Sequence, residues 1–148
     1  MRRTVVVDTN VVVGALLTRE AAGPLARVLD GMLSAQFSFA LSPALLHEFR
    51  VVLARPKLAA AHGLSGTEID TLLEEIVFLA VWRAAVEGAS AVAAPDRGDR
   101  HVWDLLASLD AGLLVTGDQR LLEAPPPFAP VVGVRAFCTL LDAASATP

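Results

Sequence analysis

Thr4-Val5-Val6-Val7-Asp8-Thr9-Asn10 is the stretch on which the fold turns. A run of β-branched residues with no polar face reads as a strand buried on both sides, the pattern of a parallel sheet. It stops at Asp8-Thr9-Asn10, side chains that favour turns and helix caps. In an open α/β sheet, ligands bind beyond the carboxyl ends of the strands, so Asp8 falls at the edge where chemistry is done. Met1-Arg2-Arg3 imitates the start of a signal peptide, but Asp8 breaks the apolar stretch before it reaches useful length.

Working outward, strands and helices alternate. Further strands are predicted at Phe37–Leu41, at Val86, at Leu113–Thr116 and at Val131–Val134. Helices are predicted over Val11–Leu17 and Ala22–Leu33, and from Ser42-Pro43 to Ala54, where Ser is the N-cap and Pro the first helical residue. Arg55-Pro56 disfavours continuation of that helix. Ser65-Gly66-Thr67 opens a long amphipathic helix carrying Ile69, Leu72, Leu73, Ile76, Val77 and Ala80. Arg100–Leu109 and a short terminal helix from Phe137 complete the set, with a proline-rich loop at Ala124–Pro130. Alternation with room for crossovers predicts an α/β fold around a mostly parallel sheet. One domain is expected over residues 1–144, with a frayed tail at 145–148.

Composition bounds the function. The 148 residues are 54% hydrophobic and 19% charged, which excludes a disordered chain. No run approaches the roughly 18 apolar residues of a membrane helix, so the expected location is the cytoplasm. The single cysteine, Cys138, sits in an apolar context and reads as a small core hydrophobe. A formal charge of −4 argues against a basic clamp on nucleic acid. It leaves room for an enzyme that carries its positive charge as bound metal.

The candidate chemistry therefore lies in where the acids stand. Asp8 and Asp118 each follow a predicted strand, and parallel strands put both at one edge of the sheet. Glu48 shares a helical face with Ala44, Leu45, Val51 and Val52, the apolar side turned to the sheet. The alternative is a glutamate at the margin of that stripe, paired with Arg50 or Arg55. Asp99 opens the helix of Val102, Trp103, Leu106 and Leu109, where a cap or dipole role competes with a site role. Asp104 lies roughly 140° around that helix from Asp99, on a face expected to be solvated. Two carboxylates ~4 Å apart repel by roughly 4 kcal/mol at an effective dielectric of about 20. A convergent Asp8, Glu48, Asp99 and Asp118 thus needs cations, and oxygen donors select Mg²⁺ or Mn²⁺ over zinc. Such a pocket suits phosphoryl chemistry.

Taken in order, Val5-Val6-Val7-Asp8-Thr9-Asn10-Val11, Ser42-Pro43 through Glu48, Asp96-Arg97-Gly98-Asp99 and Val115-Thr116-Gly117-Asp118 resemble a PIN domain. The likeness is greatest to the bacterial group described as toxins of toxin–antitoxin systems, and it extends to Leu53-Ala54-Arg55-Pro56-Lys57-Leu58. It implies a three-layer α/β/α sandwich and a metal-dependent ribonuclease that leaves a 5′-phosphate and a 3′-hydroxyl. On it, Asp8, Glu48, Asp99 and Asp118 match the acidic quartet that holds Mg²⁺ or Mn²⁺. Thr9 or Asn10 and Thr116 match supporting hydrogen-bonding positions. Asp96 matches the first acid of an Asp-Pro-Asp-Asp motif whose middle residues are here Arg97 and Gly98. Asp104 falls where a glutamate is frequent. Arg97, Arg100 and Arg120 flank the acids as candidate contacts to RNA phosphates. The implied partners are an RNA substrate, a small antitoxin protein and further copies of the chain in a homodimer or higher oligomer.

Competing readings differ in what they require. A dehalogenase-type phosphatase needs a second Asp two residues after the first, and position 10 is Asn. A receiver domain needs a lysine near the strand ends, but the only lysine, Lys57, lies past a helix. A catalytically inactive PIN-like interaction module keeps the fold without the turnover.

Overall fold

The computed structural model describes residues 2–146. Its core strand, β1 (Thr4–Val7), pairs in parallel with β4 (Gly112–Val115), and β4 pairs in parallel with β5 (Val131–Val132). A second parallel pair joins β2 (Ala40–Leu41) to β3 (Val81–Trp82). A bridge between Val5 and Phe39 ties the two pieces together. The strand order across the molecule is therefore β3-β2-β1-β4-β5, all parallel. Val5, Val6, Leu114 and Val115 are fully buried, as a central parallel pair requires.

Helices α1 (Thr9–Leu17) and α2 (Pro24–Leu33) connect β1 to β2. Helices α3 (Pro43–Leu53), α4 (Pro56–His62) and α5 (Gly66–Leu79) connect β2 to β3. Helix α6 (Arg100–Ala107) precedes β4, α7 (Gln119–Glu123) follows it, and α8 (Val134–Ala146) packs back on α2. Crossovers run one way from β1 to β3 and the other way from β3 to β5. The right-handed rule then sends α1–α5 and α6 to opposite faces, giving the three-layer sandwich. Trp103, Phe39, Phe49 and Phe137 fill the space between the layers. No helix among the described residues is long and apolar enough to cross a membrane.

Local signals explain most boundaries. Ser42 accepts from the Leu45 amide and Pro43 occupies the first turn of α3. Ser65 and Glu68 close a reciprocal capping box at α5. Two expectations need correction, and one proline has a second role. Val86 is a buried residue of an irregular segment; the third strand lies earlier, at Val81–Trp82, where the backbone reaches Phe39 and Leu41. Val134 begins α8 rather than ending β5. Pro56 stops α3 but also starts α4, because proline's missing N–H is harmless in a first turn. Helix α8 runs to Ala146, and the last residues of the expected tail, Thr147 and Pro148, lie outside the described residues.

Candidate active site

Asp8 leaves β1 at the carboxyl edge of the sheet and caps α1. It is 6% exposed, and its carboxylate is answered on both oxygens. The Thr9 amide donates to Oδ1 at 2.9 Å; the Thr116 hydroxyl and the Asn10 amide donate to Oδ2 at 2.7 and 3.1 Å. Burial still pushes the Asp8 carboxyl above its ordinary range, against the pull of those bonds, and the nearby Glu48 charge adds to the rise.

Thr116, fully buried just past β4, is the hub of this edge. While its hydroxyl donates to Asp8, its oxygen accepts from the Asp118 amide at 3.0 Å and from Asn10 Nδ2 at 3.3 Å. One proton and two lone pairs are thus all used. Asn10 in turn accepts from the Gly117 amide at 2.9 Å, so the ends of β1 and β4 are stitched together side by side.

Glu48 arrives from α3 by a different route from the one expected. The buried stripe of α3 is Leu45, Phe49 and Leu53, whereas Ala44 and Val51 are exposed. Glu48 therefore sits at the margin of the stripe, with 35% of its side chain exposed, and not on its apolar face. Arg50 is not its partner, being paired with Asp70 at 2.6 Å. Instead Oε2 accepts from the Thr9 hydroxyl at 2.5 Å and lies 3.4 Å from His101 Nε2. The His101 ring is the main reason the Glu48 carboxyl titrates below its ordinary value.

Asp99 stands at the N-cap position of α6, after the 3-10 turn Arg97–Asp99, yet its side chain makes no capping bond. Its Oδ2 is buried without a hydrogen-bond partner. Burial first, and then the charges of Asp8, Asp118 and Asp96, raise its carboxyl. Asp118 is the converse case. It caps α7 through the Arg120 amide at 2.9 Å and binds the Arg120 guanidinium at 3.1 Å, which holds its carboxyl low. Arg120 also reaches Asp96 at 3.5 Å, and Asp96 caps the 3-10 turn through Gly98.

The structure thus gathers Asp8, Thr9, Asn10, Glu48, Asp99, Thr116 and Asp118 at one sheet edge, with Asp96 tied in through Arg120. Arg120 itself is engaged by acids. Arg97 and Arg100 have no side-chain partner among the described residues. They line a pocket of about 380 Å³ beside His101, floored by Pro43, Ala44 and Val86. Asp104, expected in solvent, is instead 4% exposed and accepts from the Gly88 and Ser90 amides. His101 was not anticipated. Its only trace in the sequence is a polar residue two positions after Asp99, on a turn facing the acids.

No group of three or more His, Cys, Asp or Glu among the described residues is close enough to hold a metal ion as it stands. Arg120 engages Asp118, and Thr9 and His101 engage Glu48. The donors nevertheless fit a hard cation, because the set is all oxygen and Asp99 offers a buried, unpartnered one. The raised acids also make a stability prediction for metal-free protein. Between the ordinary value of 3.8 and their higher folded values, Asp8 and Asp99 hold protons that the unfolded chain has released. Stability then falls as pH rises through that window. Glu48 and Asp118, with lowered values, contribute stability that is fully present above their ordinary values of 4.5 and 3.8 and is lost as pH falls through the lowered ones. Melting curves in chelator should therefore show stability falling as pH rises above 3.8 through the raised values of these two acids, and Asp8→Asn should flatten that fall.

No curated protein and no solved structure matches the chain. The PIN domain family does, over residues 4–120, a span that contains every one of the clustered acids and both stitched strand ends. That match covers well over half of the sequence, and the chain belongs to the PIN domain family.

Proposed function

We propose that the protein is a Mg²⁺- or Mn²⁺-dependent endoribonuclease, acting at the sheet edge that carries Asp8, Glu48, Asp99 and Asp118. PIN domains are typically nucleases acting on RNA or DNA, and they generally use divalent ions. The observation that carries the reading is Asp99: a helix-start acid that caps nothing, with a buried bare oxygen, raised by burial and then by the negative charges around it. A fold keeps such a group at a cost unless it has work to do.

Asp8, Asp99 and Asp118 would hold the ion, with Glu48 either a further ligand or the group that orients the attacking water. When bound, the ion offsets substrate charge, acidifies water and stabilises the leaving oxygen. The chain's own contribution is positional. Thr116 and Asn10 donate to the Asp8 carboxylate and hold it in place, although burial raises its pKa. Arg97 and Arg100, free of acid partners, offer guanidinium groups to the flanking phosphates. Arg120 is engaged by Asp118 and Asp96 and joins Arg97 and Arg100 only if released.

The toxin role belongs to the same proposal, with a cytoplasmic location, an antitoxin covering the site, and self-association into a homodimer or higher oligomer. It rests on the resemblance of the motifs, and a short antitoxin-like reading frame beside the gene would support it. The nuclease reading is tested on an RNA mixture with Mn²⁺ or Mg²⁺. Fragments ending in a 5′-phosphate are expected, and an excess of chelator should abolish them. Intact RNA under both ions, together with no heat of Mn²⁺ binding in calorimetry, would favour an inactive interaction module.

A further inference from the structure

Glu48 receives no hydrogen bond from its own helix, being at the edge of an apolar stripe and one third exposed. Yet its Oε2 is approached from two other elements, by the Thr9 hydroxyl at the start of α1 and by His101 Nε2 in the first turn of α6. Both converge on the same oxygen, and Oε1 has no hydrogen-bond partner among the described residues. On the far side of the imidazole, His101 Nδ1 is buried and also lacks a partner. A ring placed for packing alone would gain from satisfying that nitrogen, since an orphaned buried polar atom costs stability. The ring is oriented toward Glu48 at the expense of its other end.

We propose that His101 is a positioning residue: with Thr9 it clamps one oxygen of Glu48 and leaves the other free to serve the reaction. This rests on the nuclease reading above and assigns a role to a residue outside the acidic set. The consequence is mechanical. His101 lies two residues after Asp99, so a single turn of α6 delivers one acid and sets the angle of another. Holding a ligand or water-orienting carboxylate by its outer partners typically matters by 10–100-fold in metal affinity or activity.

The test uses the full chain with two substitutions. His101→Leu removes the N–H donor, whereas His101→Gln keeps one on a neutral side chain. Mn²⁺ affinity without RNA is read by calorimetry, and kcat and KM are read on an RNA oligomer with Mn²⁺. The expected result is a loss of about tenfold or more in Mn²⁺ affinity or kcat for His101→Leu, with KM little changed and most of the loss recovered in His101→Gln. In metal-free protein, the ring ¹⁵N resonances of His101 should shift on Glu48→Gln. If wild type binds Mn²⁺ and cleaves RNA while His101→Leu matches it in both, this proposal alone is overturned. Equal losses in His101→Leu and His101→Gln, tracking a common drop in melting temperature, would also overturn it in favour of a packing role. A wild type that neither binds Mn²⁺ nor cleaves RNA overturns the nuclease reading, and this one with it.

Discussion

An Asp99→Asn protein should lose at least ~100-fold in RNA cleavage and nevertheless melt higher than wild type in metal-free buffer. The two effects share one cause. Substituting groups that merely orient metal ligands costs 10–100-fold, so removing the charge from the acid proposed as a ligand should reach the upper end of that range or pass it. In the absence of a cation the same carboxylate is a burden. Burial and the charges of Asp8, Asp118 and Asp96 all disfavour its ionised form, and Oδ2 has nothing to accept from. A neutral amide of the same shape relieves a repulsion that solvent partly screens, and a gain of about 2 °C or less is expected. Adding Mn²⁺ should reverse the order. Wild type at about 100 times its dissociation constant gains roughly 2.7 kcal/mol, and the variant gains far less. Melting scans with chelator and with Mn²⁺ check both halves; a variant that is less stable than wild type in chelator would show that Asp99 is a structural acid.

How much of this was legible beforehand depends on whether the information was local. Thr4–Val7 read correctly as a buried strand because four β-branched residues admit no exposed face. Ser42-Pro43 and Ser65-Gly66-Thr67 announced their helices through side chains that bond within three residues. Asp8 and Asp118 were placed at one edge because parallel strands end together. What failed was the step from helix to neighbour. Spacing puts Glu48 on the apolar face with the stripe's margin as the alternative, and the margin is where it sits, because the stripe of α3 is narrow and Thr9 and His101 decide the side chain's surroundings from other elements. Similarly, β3 is two residues long, and only the backbone of Phe39 and Leu41 makes it a strand. Helix α7, five residues behind an Asp N-cap, is too short for any periodicity to announce it.

Asp104 is the sharpest such case and leads to the largest expected stability change. Angular separation from Asp99 on α6 was sound, but the inference that the opposite face is solvated was not, because the irregular segment after β3 folds over it. Asp104 Oδ2 accepts from the Gly88 amide at 3.1 Å and Oδ1 from the Ser90 amide at 3.0 Å. Gly88 takes a left-handed conformation (φ +79°), which an L side chain rarely adopts, and so presents its N–H beside that of Ser90. An ionised carboxylate is acceptor-only on both oxygens, the one side chain of this size that matches two converging N–H groups. Hydrogen bonds to a charged group contribute about 1.5–3 kcal/mol each, and water can reach the loop to replace part of that. Asp104→Ala is therefore expected to destabilise the fold by about 2–3 kcal/mol in denaturant titration, with amide exchange at Gly88 and Ser90 accelerating well beyond that of the β1–β4 pair. Asp104→Asn should not rescue it, because the amide can accept only one of the two bonds and turns a donor toward the other. The loop it anchors runs on to Asp96, and its Glu87 joins Arg97 and Arg100 around the pocket beside His101. Loosening it should also weaken RNA binding, raising KM more than it lowers kcat. Wild-type stability in Asp104→Ala, or full rescue by Asn, would refute the two-acceptor role.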